Sequence, residues 1–187
     1  MKRRLSLILC LALSGALPAW AGLNAKNGEL GFDFGFTHFD SDVSDKGAGR
    51  FAFRGGYCFT ELFELEGEGV GMANTQDTNL ADVTTALGVT LVNAVFNFHP
   101  KNKQAVPYVL VGAGSATLTV DLDPGPDTDD SGFAVQIAGG SRFFFGEKKR
   151  VAVRVEGSVL QEDTFDETSM HYSVTAGFTW RLGGPKQ

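Results

Sequence analysis

Glu64, Glu66 and Glu68 stand at every second position of the stretch FELEGEGVGM, residues Phe63 to Met72. On a helix three such carboxylates scatter around the axis. On a strand they share one face, because side chains alternate. Like charges in a row repel, so that face is either in water or supplied with cations. Two other places hold residue types that could do chemistry. His171-Tyr172-Ser173 puts a base and a hydroxyl two positions apart, the types of a nucleophile and its activator. The segment DLDPGPDTDD, Asp121 to Asp130, gathers five carboxylates. It lacks the residue order and the closing glutamate of an EF-hand loop. An acidic, solvated loop is therefore its reading, and neither a metal nor any other cofactor is assigned.

The elements that must carry these residues follow from the rest of the chain. Lys2, Arg3 and Arg4 precede a short apolar run, LSLILCLALSGAL, and then Ala19-Trp20-Ala21. This is the pattern of a secretory signal peptide over residues 1–21, removed before folding. Residues 22–187 then form one domain, and the formal net charge of −6 becomes −9 with three basic residues gone. That charge argues against nucleic acid as a partner. Cys58 is left as a single cysteine, with no internal disulfide and no metal-ligand spacing.

Alternation and turn residues predict eight strands: Glu29–Phe39, Arg50–Phe59, Phe63–Met72, Thr84–Phe98, Val106–Val120, Gly132–Phe145, Arg150–Leu160 and His171–Leu182. Most reach the ~9–11 residues that a tilted strand needs to cross a bilayer. Three links are short: TEL, HPKNKQA and GEKK. The other four connections are longer and hold fourteen acids against one lysine, Lys46. Short turns at one end and long loops at the other are the plan of a transmembrane barrel.

The faces agree. Phe51, Phe53, Tyr57 and Phe59 oppose Arg50, Arg54 and Cys58. Phe133, Val135, Ile137, Phe143 and Phe145 oppose Gln136 and Arg142. Val151, Val153, Val155 and Val159 oppose Arg154 and Glu156. Tyr172, Val174, Phe178, Trp180 and Leu182 oppose Ser173, Thr175 and Arg181. Every lysine after the signal falls in a turn, a loop or a terminus, unlike a sheet that faces water. Small polar residues with arginines opposite glutamates suit a narrow enclosed lumen. The expectation is an all-β, eight-stranded, antiparallel up-and-down transmembrane barrel. Its lumen would be closed by an ion-pair network of Arg54, Glu64, Glu66, Glu68, Arg142, Arg154, Glu156 and Arg181.

PYVLVGAG (Pro107–Gly114), LVNAVFNF (Leu91–Phe98) and VAVRVEGSV (Val151–Val159) carry a family resemblance. With them, the chain resembles the eight-stranded outer-membrane β-barrels of Gram-negative bacteria, of the OmpA-transmembrane-domain, OmpX and opacity-protein type. The last strand, TAGFTWRL, is similar to the signal read by the barrel-assembly machinery, here Thr175, Gly177, Trp180 and Leu182. It departs in running on through GGPKQ instead of ending on an aromatic residue. The resemblance implies a monomer exported to the outer membrane, with outer-membrane lipid and lipopolysaccharide as its surroundings. Some such barrels are lipid A deacylases with a His-x-Ser-Asn motif. This chain has Val174 at the asparagine position, and its His171 and Ser173 have inward parity. The expected role is non-enzymatic, structural or surface-interacting, through four acidic loops. A small-solute channel is the alternative, and a lipid-modifying enzyme a more remote one.

Overall fold

The structure, a computed structural model, describes residues 26–39, 47–77, 82–98, 105–123, 128–146, 150–165 and 167–182. The expected signal peptide, residues 1–21, and the GGPKQ tail lie outside the described residues. Eight strands run in chain order: β1 Asn27–His38, β2 Gly47–Cys58, β3 Phe63–Asp77, β4 Asp82–Asn97, β5 Ala105–Asp123, β6 Thr128–Phe145, β7 Val151–Thr164 and β8 Glu167–Leu182. Each pairs antiparallel with its neighbours in sequence, and β1 pairs with β8 to close the barrel. Closure leaves no open sheet edge through the wall, as lipid requires.

Alternation sets the register. β2 opposes β3 with Arg54 beside Glu68, and Phe53 beside Gly69. One face of each strand is thereby all inward and the other all outward. The result inverts a soluble protein. Phe53, Phe36 and Ile137 are 69%, 80% and 66% exposed, whereas Arg142 and Arg154 are 0% and 1% exposed. Burial of charge and exposure of aromatic rings on this scale fit lipid outside and an enclosed lumen within.

Three features depart from the sequence reading. First, β2 to β8 run past the expected ends at the long connections. Asp121, Asp123, Asp129 and Asp130 lie on strands, not in a loop. The hairpin ladder satisfies backbone groups in water as well as in lipid, so it need not stop where apolar alternation stops. Second, β4 has apolar residues on both faces. Leu87, Val89, Leu91 and Val95 are buried inside while Val92 and Phe96 are exposed outside. The lumen is therefore partly packed with hydrocarbon. A cluster that includes Phe39, Met72, Leu87, Leu91 and Leu160 fills much of the end toward the long connections. Cys58, Val106, Phe144 and Ala152 cluster at the other end. Third, Glu162, in a loop by the sequence reading, is buried inside β7.

The short link between β2 and β3 shows why that turn forms. Thr60 Oγ1 accepts from the amides of Leu62 (3.2 Å) and Phe63 (2.9 Å), a local hydroxyl turn.

Candidate functional site

The charged layer lies between the two apolar clusters. Arg54, from β2, is its hub. Its Nε donates to Asp33 of β1. Nη1 donates to Glu66 Oε1 at 3.0 Å. Nη2 reaches Glu68 Oε1 at 2.9 Å and Glu156 Oε1 at 2.8 Å. One planar fork thus joins β1, β2, β3 and β7, which the fixed geometry of guanidinium permits and a lysine would not.

Arg154, from β7, is the second hub. It donates to Glu66 Oε2 at 2.7 Å and Glu156 Oε2 at 2.8 Å. Its Nε donates to the Tyr108 hydroxyl at 2.6 Å, and that hydroxyl donates in turn to Glu156 Oε2 at 2.7 Å. Glu68 is shared differently. Arg50 Nη2 donates to its Oε1 at 2.8 Å, while Asn93 and Gln136 donate to its Oε2 at 2.7 and 3.0 Å.

Toward the short turns the layer loosens. Arg142 Nη1 is 2.8 Å from Glu64 Oε2, in contact but without hydrogen-bond geometry, and 3.7 Å from Glu29 Oε2. It donates to Asn97 Oδ1 at 3.2 Å. Arg181 Nε donates to Glu29 Oε1 at 3.0 Å, and its guanidinium sits 4.0 Å from the Phe144 ring centroid. Toward the long connections, His171 Nε2 is 3.3 Å from Glu162 Oε1, and Thr37 bonds Ser173 at 2.7 Å.

All eight residues singled out for the lumen are therefore buried inside it. Arg54, Glu66, Glu68, Arg154 and Glu156 form one connected core. Arg142 and Glu64 pair at its turn side. Arg181 pairs with Glu29, not with the glutamates of β3. His171 and Ser173 are both buried in the lumen, and Ser173 spends its hydroxyl on Thr37. Among the described residues, no group of three or more His, Cys, Asp or Glu could hold a metal ion. A groove on the outer wall, lined by Phe51, Gly69, Gly71, Gly88, Thr90, Ser115 and Thr117, carries no titratable side chain.

Outward-facing aromatics around an enclosed polar lumen fit a transmembrane β-barrel. The sequence profile of the outer membrane protein beta-barrel domain matches residues 7–181. The chain belongs to this family of outer-membrane β-barrel proteins.

Solved barrels share the fold. The crystal structure of Neisserial surface protein A has a TM-score of 0.69 at 12% identity, over 83% of this chain and 97% of that one. Ail of Yersinia pestis, in complex with the heparin analogue sucrose octasulfate, has a TM-score of 0.54 at 15% identity, over 84% and 100%. The outer membrane protein OprG of Pseudomonas aeruginosa has a TM-score of 0.50 at 14% identity, over 86% and 99%. No curated protein matches the chain by sequence.

In this outer-membrane barrel the terminal strand β8 also forms the closing seam. Trp180 and Leu182 face outward, 43% and 54% exposed, and Thr175 is buried in the lumen. Phe32 of β1 packs against Phe178 and Trp180, with ring centroids 5.8 and 5.6 Å apart. Gly177 lies opposite Asp33. A Cβ there would strike the Phe32 carbonyl and lie 2.6 Å from Asp33 Cα. Its glycine lets Asp33 lean in toward Arg54.

Glu29, Asp33, Arg50, Asn93, Tyr108 and Gln136 belong to the network but were not assigned to it from sequence. Parity carried the signal for most of them. Glu29 and Asp33 share the odd, inward positions of β1, and Arg50 shares a face with Arg54. Tyr108 gave no such signal, because an aromatic ring beside Val109 and Val111 reads as lipid-facing.

Proposed function

We propose that this protein is a plugged, non-enzymatic barrel of the outer membrane that acts at the cell surface through its long acidic connections, in a structural or adhesive role. The carrying observation is the lumen itself. Arg54 and Arg154 join β1, β2 and β3 to β7 across the interior, and apolar residues pack on both sides of that layer. A water-filled porin path needs the opposite, a polar and open interior. A lipid hydrolase needs its nucleophile and base at the lipid face. The His171 and Ser173 side chains lie inside instead.

The partners follow from charge. Ail crystallised with a polysulfated heparin analogue. The long connections together with the strand ends that flank them hold fourteen acids and one lysine, and among the described side chains Glu162 is the one of these that lies in the lumen. Such a surface repels polyanions and favours basic partners, or lipopolysaccharide phosphates bridged by divalent cations. Export through a cleaved signal over residues 1–21, and recognition of Thr175, Gly177, Trp180 and Leu182 by the assembly machinery, belong to the same proposal.

The test is purification from outer membranes, then planar-bilayer recording and mass spectrometry of lipid A from expressing cells. No steady conductance and unchanged lipid A are expected. Sustained porin-like current would make the protein a channel, and a shifted lipid A mass would make it an enzyme.

A further inference from the structure

The charges of the central layer do not balance. Among the described residues, five guanidiniums, Arg50, Arg54, Arg142, Arg154 and Arg181, face six carboxylates, Glu29, Asp33, Glu64, Glu66, Glu68 and Glu156. The Glu162–His171 pair stands apart, toward the long connections. An uncompensated charge in a closed lumen is expensive, and the usual escape is to neutralise it.

The geometry shows where the excess falls. Glu66 and Glu156 each take bonds from both hub arginines, and Glu68 takes four donors. Asp33 takes Arg54 Nε, and Glu29 takes Arg181 Nε. Glu64 is 0% exposed, and neither of its oxygens has a hydrogen bond among the described residues. It is the carboxylate of the layer with no donor on either oxygen. It is also folded back over Gly56, where a Cβ would collide with its Oε1.

We propose that Glu64 is the protonation site of the lumen, held as the neutral carboxylic acid and so cancelling the sixth negative charge. Its neighbours support a proton over a metal ion. Arg142 Nη1, 2.8 Å away, would repel a bound cation, and no metal-ligand trio exists among the described residues. The charged and titratable groups around it come from every side. They are Glu29 of β1, Cys58 of β2 directly opposite in register, Glu66 on its own strand, Tyr108 of β5 under the Arg142 guanidinium, Arg142 itself from β6, and Arg154 of β7. Arg181 of β8 holds the far oxygen of Glu29. On β4, Asn97 accepts from Arg142, leaving its Nδ2 among the orphaned polar atoms of this end. Among the described residues, Glu29 Oε2 is the other carboxylate oxygen of this end that accepts no hydrogen bond, and a carboxylic O–H at Glu64 would be a donor of the kind it can take.

The experiment is infrared spectroscopy of the refolded barrel at neutral pH, wild type against Glu64→Gln, with Glu29→Gln and Glu66→Gln as controls. The expected result is loss of one carboxylic-acid C=O band in Glu64→Gln alone, with heat-modifiable gel mobility kept. Glu66→Gln, which removes a charge used by two arginines, should lose folded protein instead. A wild-type spectrum without that band, or a band unchanged in Glu64→Gln, overturns the proposal. Failure of Glu64→Gln to fold also overturns it, because a neutral isostere of a neutral acid should be tolerated. Sodium or magnesium titration separates the remaining rival: a bound cation would shift stability with its concentration at fixed ionic strength, whereas a proton would not.

Discussion

Arg54 of β2 and Glu156 of β7 meet across the lumen, Nη2 to Oε1 at 2.8 Å, although 102 residues separate them in sequence. No wall contact links these strands, so the pair ties opposite sides of the barrel directly. Both side chains are almost fully buried, and the bond is therefore poorly screened by solvent.

The first prediction follows from that hub. Arg54→Ala leaves Asp33, Glu66, Glu68 and Glu156 each short of a donor. Breaking a buried network from one side costs about 3–5 kcal/mol. Urea unfolding followed by gel mobility should show that loss. An equal, near-zero cost for Arg54→Ala and for an exposed Arg150→Ala would mean that water already fills the layer.

The seam between β8 and β1 gives a second prediction. Gly177→Val places a Cβ against the Phe32 carbonyl and the Asp33 backbone, and neither can rotate away. Folded protein in the outer membrane should drop severely. Gly69→Ala, which meets nothing within 4 Å, should leave it unchanged. Western blotting of membrane fractions, with and without boiling, reads both. Normal levels of Gly177→Val would show that the seam can spread.

Trp180 tests the assigned faces. It is outward and packs on Phe32 and Phe178. Trp180→Asp sets a carboxylate at the lipid wall, at a cost of up to about 1 kcal/mol near a strand end. It also removes ring contacts worth about 1 kcal/mol. Thr179→Asp, one position away, points into the lumen and should behave differently, its effect set by the nearby charges rather than by lipid. Equal effects in lipid and in detergent for both variants would contradict the alternation of β8.

The fold was legible because a period of two is hard to imitate: Phe51, Phe53 and Tyr57 against Arg50, Arg54 and Cys58 fix both strand and face. The network was legible where charge sat on a strand flanked by apolar residues, as at Glu64, Glu66, Glu68 and Arg154. It was not legible where both faces were apolar. Leu87, Leu91 and Tyr108 look like wall residues, and only closure of the barrel turns them inward. Partner choice was equally hidden. Arg181 and Glu29 are 152 residues apart, and their bond depends on the stagger of the β1–β8 seam, which no single strand encodes. Strand ends were misplaced because a hairpin in water keeps its ladder without an apolar face.

The last prediction concerns two of the three layers that close the lumen, the third being the small cluster of Cys58, Val106, Phe144 and Ala152 at the short-turn end. One is the ionic layer around Arg54 and Arg154. The other is the cluster of Phe39, Met72, Leu87, Leu91 and Leu160 on its long-connection side. They differ in what they exclude. The apolar cluster repels ions because a charge in hydrocarbon is unsolvated. The ionic layer blocks by occupying the space with bonded side chains. An ion must pass both, so opening either alone should not give current. Leu87→Ala with Leu91→Ala hollows the cluster but leaves Arg54 bonded to four carboxylates. Arg154→Ala with Glu156→Ala loosens the layer, removing one charge of each sign, but leaves the cluster packed. Each pair should stay silent in planar-bilayer recordings, and conductance steps should need all four substitutions together with Phe144→Ala, which opens the short-turn end. Current from the Leu87/Leu91 pair alone would show that the ionic layer is already permeable to water and ions. Current from the Arg154/Glu156 pair alone would show that the apolar cluster is no barrier.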